Sequence, residues 1–125
     1  MWTSELPAHL QRFDVVRLNV MYEEGDSRSK KRPVIVVRVS SDGVNCIGVK
    51  VTSTISWDKA GDVVLGDSLA AGLDHVSLAR CSQMIVFPEK KAIGYYGELS
   101  RADRERVARA IADLRLEDIV WLHIR

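Results

Sequence analysis

Cysteine, proline and aromatic residues are scarce in this sequence, and the shortage of cysteine excludes most stapled scaffolds. The two cysteines, Cys46 and Cys81, stand far apart in no CxxC or Cys/His pattern, so neither a disulfide framework nor a zinc cluster is expected and both read as buried thiols. Apolar runs such as Val34 to Val37 fall far short of the ~20 residues a membrane-spanning helix needs, and no basic start followed by an apolar stretch opens the chain. A soluble, cytoplasmic protein with no membrane segment is the expectation. Charge of one sign is also lacking. With a formal net charge of only +1, any binding of nucleic acid must come from local clusters of Lys and Arg. No motif calls for a metal ion or a cofactor.

What is there is an ordinary globular composition, 46% apolar and 28% charged over 125 residues, which predicts one domain over 1–125. A domain of this size buries about two-thirds of its unfolded surface and needs no staple, though a partner subunit can help. Met1 to Arg12 read as an N-terminal extension or short helix lying on the domain. Phe13 to Asn19 partly alternate as a half-buried strand does. The polar, highly charged segment MYEEGDSRSKKR then reads as a loop of about a dozen residues, long enough to suggest a functional role. Pro33 opens the β-branched run VIVVRV, with its missing N–H at the first strand position. Asp42-Gly43 supplies turn chemistry for a hairpin back into VNCIGVKVTS. A loop around Trp57, a short strand near Val63 to Leu65, a turn with Gly72 and the run VSLARCSQMIVF ended by Pro88 follow. Five or six short strands predict an antiparallel barrel or sandwich.

The segment EKKAIGYYG closes the β-rich part; if it is extended, Tyr95 and Tyr96 point to opposite faces. Ser100 with Asp103 three residues on forms a near capping box. The helix it starts, from Arg101 to about Leu116, carries Val107, Ala110, Ile111 and Leu114 on one apolar stripe, which is expected to pack on the sheet. The tail EDIVWLHIR reads equally as a short strand or a docked extension.

Taken in order, the leading strand Phe13 to Val16, the polar loop, Lys31-Arg32-Pro33 before VIVV, the VTS at Val51 to Ser53, Gly72-Leu73, and Arg80-Cys81-Ser82-Gln83 resemble the MazF/PemK toxins of type II toxin–antitoxin systems. The resemblance covers roughly Phe13 to Leu114 and is nearest to the PemK-like branch. It implies a β-rich (α+β) fold, a small SH3-like antiparallel barrel with a C-terminal helix, the CcdB/PemK-like toxin barrel. It also implies a homodimer, a cognate antitoxin, and metal-independent, sequence-specific endoribonuclease cleavage of single-stranded RNA to 2′,3′-cyclic phosphate and 5′-hydroxyl ends.

The resemblance further implies site residues. Arg32 stands at the family's catalytic arginine position, where a planar guanidinium grips two phosphate oxygens and stabilises developing charge. Thr52 matches the family's threonine, with Ser53 beside it; the alternative is that Thr52 serves strand packing and Ser53 a turn. Arg80 matches the PemK-like catalytic arginine, but Ser82 stands where that branch has an acid, and Gln83 follows. The first loop has no histidine, so His75, an imidazole of the kind that moves protons near neutral pH, enters instead, against a reading as an exposed turn residue. Glu23, Glu24 and Asp26 are lesser proton acceptors. Arg28, Lys30, Lys31 and Arg32 form the one dense basic run, suited to backbone phosphates, and Trp57 could stack a base. Two other readings stay open: a degenerate member that binds RNA or antitoxin without cutting, and a gyrase poison on the same barrel acting through its C-terminal end.

Overall fold

The turn at Asp42-Gly43 organises the sheet. Gly43 adopts φ +74, its N–H donates to the Ser40 carbonyl at 2.9 Å, and the Asp42 carboxylate accepts from the Val44 N–H at 2.9 Å, so the chain reverses through local chemistry alone. On either side run β2 (Ser29–Val39) and β3 (Asn45–Thr52). The computed structural model describes residues 1–21, 28–56 and 58–125. The other strands are β1 (Asp14–Met21), β4 (Asp62–Val64), β5 (Leu78–Pro88), β6 (Gly94–Glu98) and β7 (Val120–Leu122), with one helix, α1 (Arg101–Ala112). The sheet order is β4-β5-β3-β2-β1-β6, antiparallel throughout, and β7 pairs parallel to β5. Among the described residues it is a curled antiparallel half-barrel with one α-helix, as the resemblance implied.

Alternation along the strands gives the sheet a core on each face. Val15 and Ile35, which are register partners, belong to one cluster with Val49, Ala79, Leu99 and Val107. Their neighbours Val16 and Val34, also partners, belong to a second with Leu18, Val36, Ile85 and Phe87. Helix α1 covers the first cluster: Val107 is fully buried and Ala110, Ile111 and Leu114 pack against it, the predicted stripe. Ser100 caps the helix by accepting the Asp103 N–H at 3.3 Å. The Asp103 carboxylate does not complete a capping box. It reaches across to accept the N–H groups of Gly66 and Asp67 at 2.8 and 2.9 Å.

Three sequence expectations are corrected here, and a fourth that was open is decided. Lys30, Lys31 and Arg32 do not lie in a loop but in β2, because the β1–β2 ladder continues out to Met21↔Ser29 and backbone pairing outweighs the polarity of the side chains. Pro33 is consequently the fifth residue of its strand rather than the first. It is tolerated because β3 begins to pair with β2 only at Val34, so a single neighbour flanks it. EKKAIGYYG does not end the sheet: after a 3-10 turn at Glu89–Lys91, Gly94–Glu98 forms β6 against β1. The N-terminal segment takes the first of its two readings, an extension lying on the domain, and is not a helix. It lies extended along β6, with Thr3 and Tyr95 exchanging backbone hydrogen bonds of 2.8 Å each, and Leu10 buried in the second core cluster.

The tail resolves as a strand. Leu122 is buried, Trp121 is half exposed, and Ile124 bridges back to Val20. Both cysteines are free, buried thiols, as read from the sequence. Among the described residues, no helix is long and apolar enough to cross a membrane.

Candidate functional site

The start of β2 and the end of β3 lie side by side in the sheet, and beyond them a cleft of about 230 Å³ opens. Its walls are Lys30, Lys31, Arg32 and Pro33 from β2, Val51 to Thr54 from the end of β3, Leu73, Asp74, His75 and Ser77 from the segment before β5, and Tyr96 from β6. Six residues singled out in the sequence thus meet in one place: Lys30, Lys31, Arg32, Thr52, Ser53 and His75. Sequence separations of tens of residues hide this convergence, which is made by strand order rather than by any local motif.

The polar groups of the cleft are oriented. The Thr52 hydroxyl oxygen accepts the Thr54 N–H at 3.1 Å. One lone pair is thereby occupied, and the hydroxyl proton is left to donate outward. His75 is exposed, and its carbonyl accepts the Ser77 hydroxyl at 2.8 Å, fixing the backbone that presents the ring. Asp74 pairs at 2.9 Å with the Met1 ammonium, whose hydrogen bond and charge hold the Asp74 carboxyl below its ordinary range. Behind the cleft Gly72, at φ +80, lies so close to the Tyr96 carbonyl that no Cβ could be placed there. That contact seats the Leu73–His75 turn against β6.

Sequence reasoning missed Asp74, Ser77 and Thr54, which carry no motif of their own, and had Leu73 only as part of the Gly72-Leu73 mark. Tyr96 was half visible. Of the two adjacent tyrosines, Tyr95 packs toward the second core cluster and donates to Asp14 at 3.2 Å, whereas Tyr96 faces the cleft side and its hydroxyl accepts from Arg17 Nη1 at 3.1 Å.

Other residues put forward from the sequence lie elsewhere. The Arg80 guanidinium, 11% exposed, is engaged by Asp62 through Nε at 3.2 Å, by Asp58 at 3.2 Å, and by the Ser56 carbonyl at 3.0 Å. It stands outside the cleft lining and braces the segment that continues from Thr52 to β4. Ser82 and Gln83 are buried, in a stretch that the β3–β5 register skips, since Met84 stands opposite Val49 while Arg80 stands opposite Lys50. Arg28 is exposed just before β2 and does not line the cleft. Trp57, Glu23, Glu24 and Asp26 lie outside the described residues. Among the described residues, no group of three or more His, Cys, Asp or Glu side chains is placed to hold a metal ion.

Comparison with solved structures places the fold. A mycobacterial endoribonuclease in complex with its cognate antitoxin matches with a TM-score of 0.62 at 17% identity, over 81% of this chain and 89% of that one. The Mycobacterium tuberculosis toxin MazF-mt6 matches at 0.58 and 20% identity, over 78% and 93%. The MazE–MazF structure from Deinococcus radiodurans matches at 0.63 and 15%, over 85% and 95%. No curated protein matches the sequence. The family model described as PemK-like, MazF-like toxin of type II toxin–antitoxin systems matches residues 11–114, most of the chain and all of the cleft, and the protein belongs to that family.

Proposed function

We propose that the protein is a toxin that cuts single-stranded RNA, and that the cleft between β2 and the end of β3 is where the cut is made. The observation that supports this best is the gathering of Lys30, Lys31 and Arg32 opposite the Thr52 hydroxyl in one cleft, with His75 on its rim. Lys30 and Arg32 on one face of β2, with Lys31 beside them at the rim, attract a polyanion, and a duplex is poorly matched to so small a cleft.

The chemistry assigned to the site is transesterification. The ribose 2′-oxygen attacks the adjacent phosphorus as its proton leaves, the bond to the 5′-oxygen breaks, and that oxygen takes up a proton. A 2′,3′-cyclic phosphate and a 5′-hydroxyl result. Arg32 offers two N–H donors to the non-bridging oxygens as their charge grows, and Thr52 donates to the same phosphate. His75, the one imidazole of the cleft lining among the described residues, is assigned the proton transfer. None of these steps requires a metal ion. Arg80 acts as a positioning residue, holding the segment after Thr52 through Ser56 and Asp58.

On this reading the partners are single-stranded RNA, a cognate antitoxin of the kind seen with the mycobacterial endoribonuclease, and a second copy of the chain. A reading in which RNA or antitoxin is held without being cut draws on one observation: Ser82 and the engaged Arg80 leave no carboxylate–arginine pair of the PemK-like kind free at the site.

The deciding experiment incubates wild type and Arg32→Ala with a long single-stranded RNA in EDTA and maps new 5′ ends. Specific cuts lost in the variant are expected. A folded wild type that leaves the RNA intact would move the assignment to the binding role.

A further inference from the structure

A second basic pocket adjoins the cleft, and its walls come partly from outside the family match. It measures about 460 Å³ and is lined by Arg17 and Asn19 of β1, Lys31 of β2, Lys91, and, from the two ends of the chain, Trp2 and Ile124, with the terminal Arg125. The match spans residues 11–114, so Trp2 and Ile124 are features of this chain rather than of the family model. Both ends are secured. Thr3 pairs with Tyr95 of β6, and the tail pairs with β1 through Val20 and Ile124 and through the Arg125 N–H to the Asn19 carbonyl at 2.9 Å.

We infer that this pocket is a second subsite for single-stranded RNA, taking a nucleotide that flanks the one held at Arg32 and Thr52; the inference rests on the ribonuclease reading above. Two physical links join the pocket to the cleft. Lys31 lines both, and Arg17, in the pocket, donates to the hydroxyl of Tyr96, in the cleft, at 3.1 Å. A polyanion leaving the cleft therefore has Lys31 and then Arg17 to follow into the pocket. Among the described residues the lining includes Arg17, Lys31 and Lys91 and no Asp or Glu, in a chain whose net charge is only +1. That segregation of charge suits a phosphate. The Trp2 ring lies over the Arg17 guanidinium, 4.6 Å from it, and the residue is 40% exposed, so the cation steadies an indole that is partly open to stacking by a base. Phosphate contact and base stacking together specify a nucleotide, and the links to the cleft favour RNA over an acidic peptide.

The test uses the full chain and an RNA spanning one mapped cut site, made resistant by 2′-O-methylation at the cleaved nucleotide. A long form carries flanking nucleotides on both sides and a short form keeps only the core. Fluorescence anisotropy gives the affinity of each for wild type, Lys91→Gln, Trp2→Ala and Arg32→Ala, with unfolding midpoints confirming that every variant is folded. Lys91→Gln and Trp2→Ala are each expected to weaken the long RNA about tenfold and to leave the short RNA unchanged. Lys91→Gln should also flatten the log affinity against log salt slope by about 0.7, one phosphate contact on a single strand, whereas Trp2→Ala should not. Equal losses on both RNAs, or none while Arg32→Ala weakens both, would overturn the subsite and leave the ribonuclease reading standing. Loss of binding to an acidic antitoxin peptide in Lys91→Gln, with RNA affinity intact, would make the pocket a peptide site and overturn it too. A wild type that binds neither RNA would remove both readings.

Discussion

Nε of Arg80 donates to the carboxylate of Asp62 across 3.2 Å, and both side chains are shielded from solvent, at 11% and 2% exposure. A buried pair of this kind contributes little when intact and costs much when one partner is removed, because the other charge is left without compensation. Arg80→Ala is therefore expected to destabilise the fold by on the order of 3 kcal/mol, read from chemical denaturation. Its residual cleavage, assayed where the variant is still folded, should exceed that of Arg32→Ala. An Arg80 variant of wild-type stability with no cleavage would instead make Arg80 a participant in the reaction.

Thr52 separates packing from chemistry in a simple way. Its hydroxyl accepts the Thr54 N–H, and its methyl fills a β-branched strand position. Thr52→Ser keeps the donor and should retain most of the cleavage rate. Thr52→Val keeps the shape and loses both hydrogen bonds, and removal of one preorganised donor lowers kcat by roughly 100-fold. If valine proved as active as serine, the threonine would be a strand residue only.

Asp103 is 1% exposed, and its two oxygens accept the N–H groups of Gly66 and Asp67 while Arg106 pairs with it at 3.1 Å. Removing the carboxylate leaves two backbone donors without their acceptor, each costing about 1–3 kcal/mol. Asp103→Ala should shift the urea midpoint more than Ser100→Ala does, although the latter removes the visible helix cap. The reverse order would show that the cap, not the cross-link from α1 to the segment after β4, holds the helix in place.

Alkaline pH should weaken the fold. Burial pushes the Cys81 thiol up to about 12 and the Cys46 thiol to about 11 from 9.0, and burial together with the neighbouring Asp14 charge pushes the Tyr95 hydroxyl from 10.0 to about 12. In each case the folded state keeps a proton that the unfolded chain releases first. The stability concerned is fully present below pH 9.0 and is lost as pH rises toward about 12. Denaturation midpoints should therefore hold steady near neutrality and fall above that point, less steeply in Cys81→Ala. A midpoint that rises with pH in this range would contradict the burial of these groups.

Much of this fold could be read from local chemistry, and much of the site could not. The hairpin at Asp42-Gly43 and the cap at Ser100 announce themselves within four residues, and the Val107 to Leu114 stripe follows from helical period. Lys30 to Arg32 look like loop because three cations in a row carry no strand signal; only the β1 ladder on the other side of the hairpin makes them strand. Strand β6 is hidden for the same reason, since Gly94 to Glu98 acquire order by pairing with a strand some eighty residues earlier in the chain. The resemblance named Arg32, Thr52 and Arg80 as a group. What it could not supply was the fate of Arg80, which depends on Asp58 and Asp62, two acids with no motif to mark them.

The placement of the basic run in β2 makes the strand a partition. Side chains two apart share a face and stand about 6.7 Å from each other along the strand. Lys30 and Arg32 thus project to one side and Lys31, opposite Asn19, to the other. A loop would offer the same three charges as a diffuse cloud, free to follow any anion. Held on a ladder, they act as fixed teeth, and a ligand must come to them already stretched and in step.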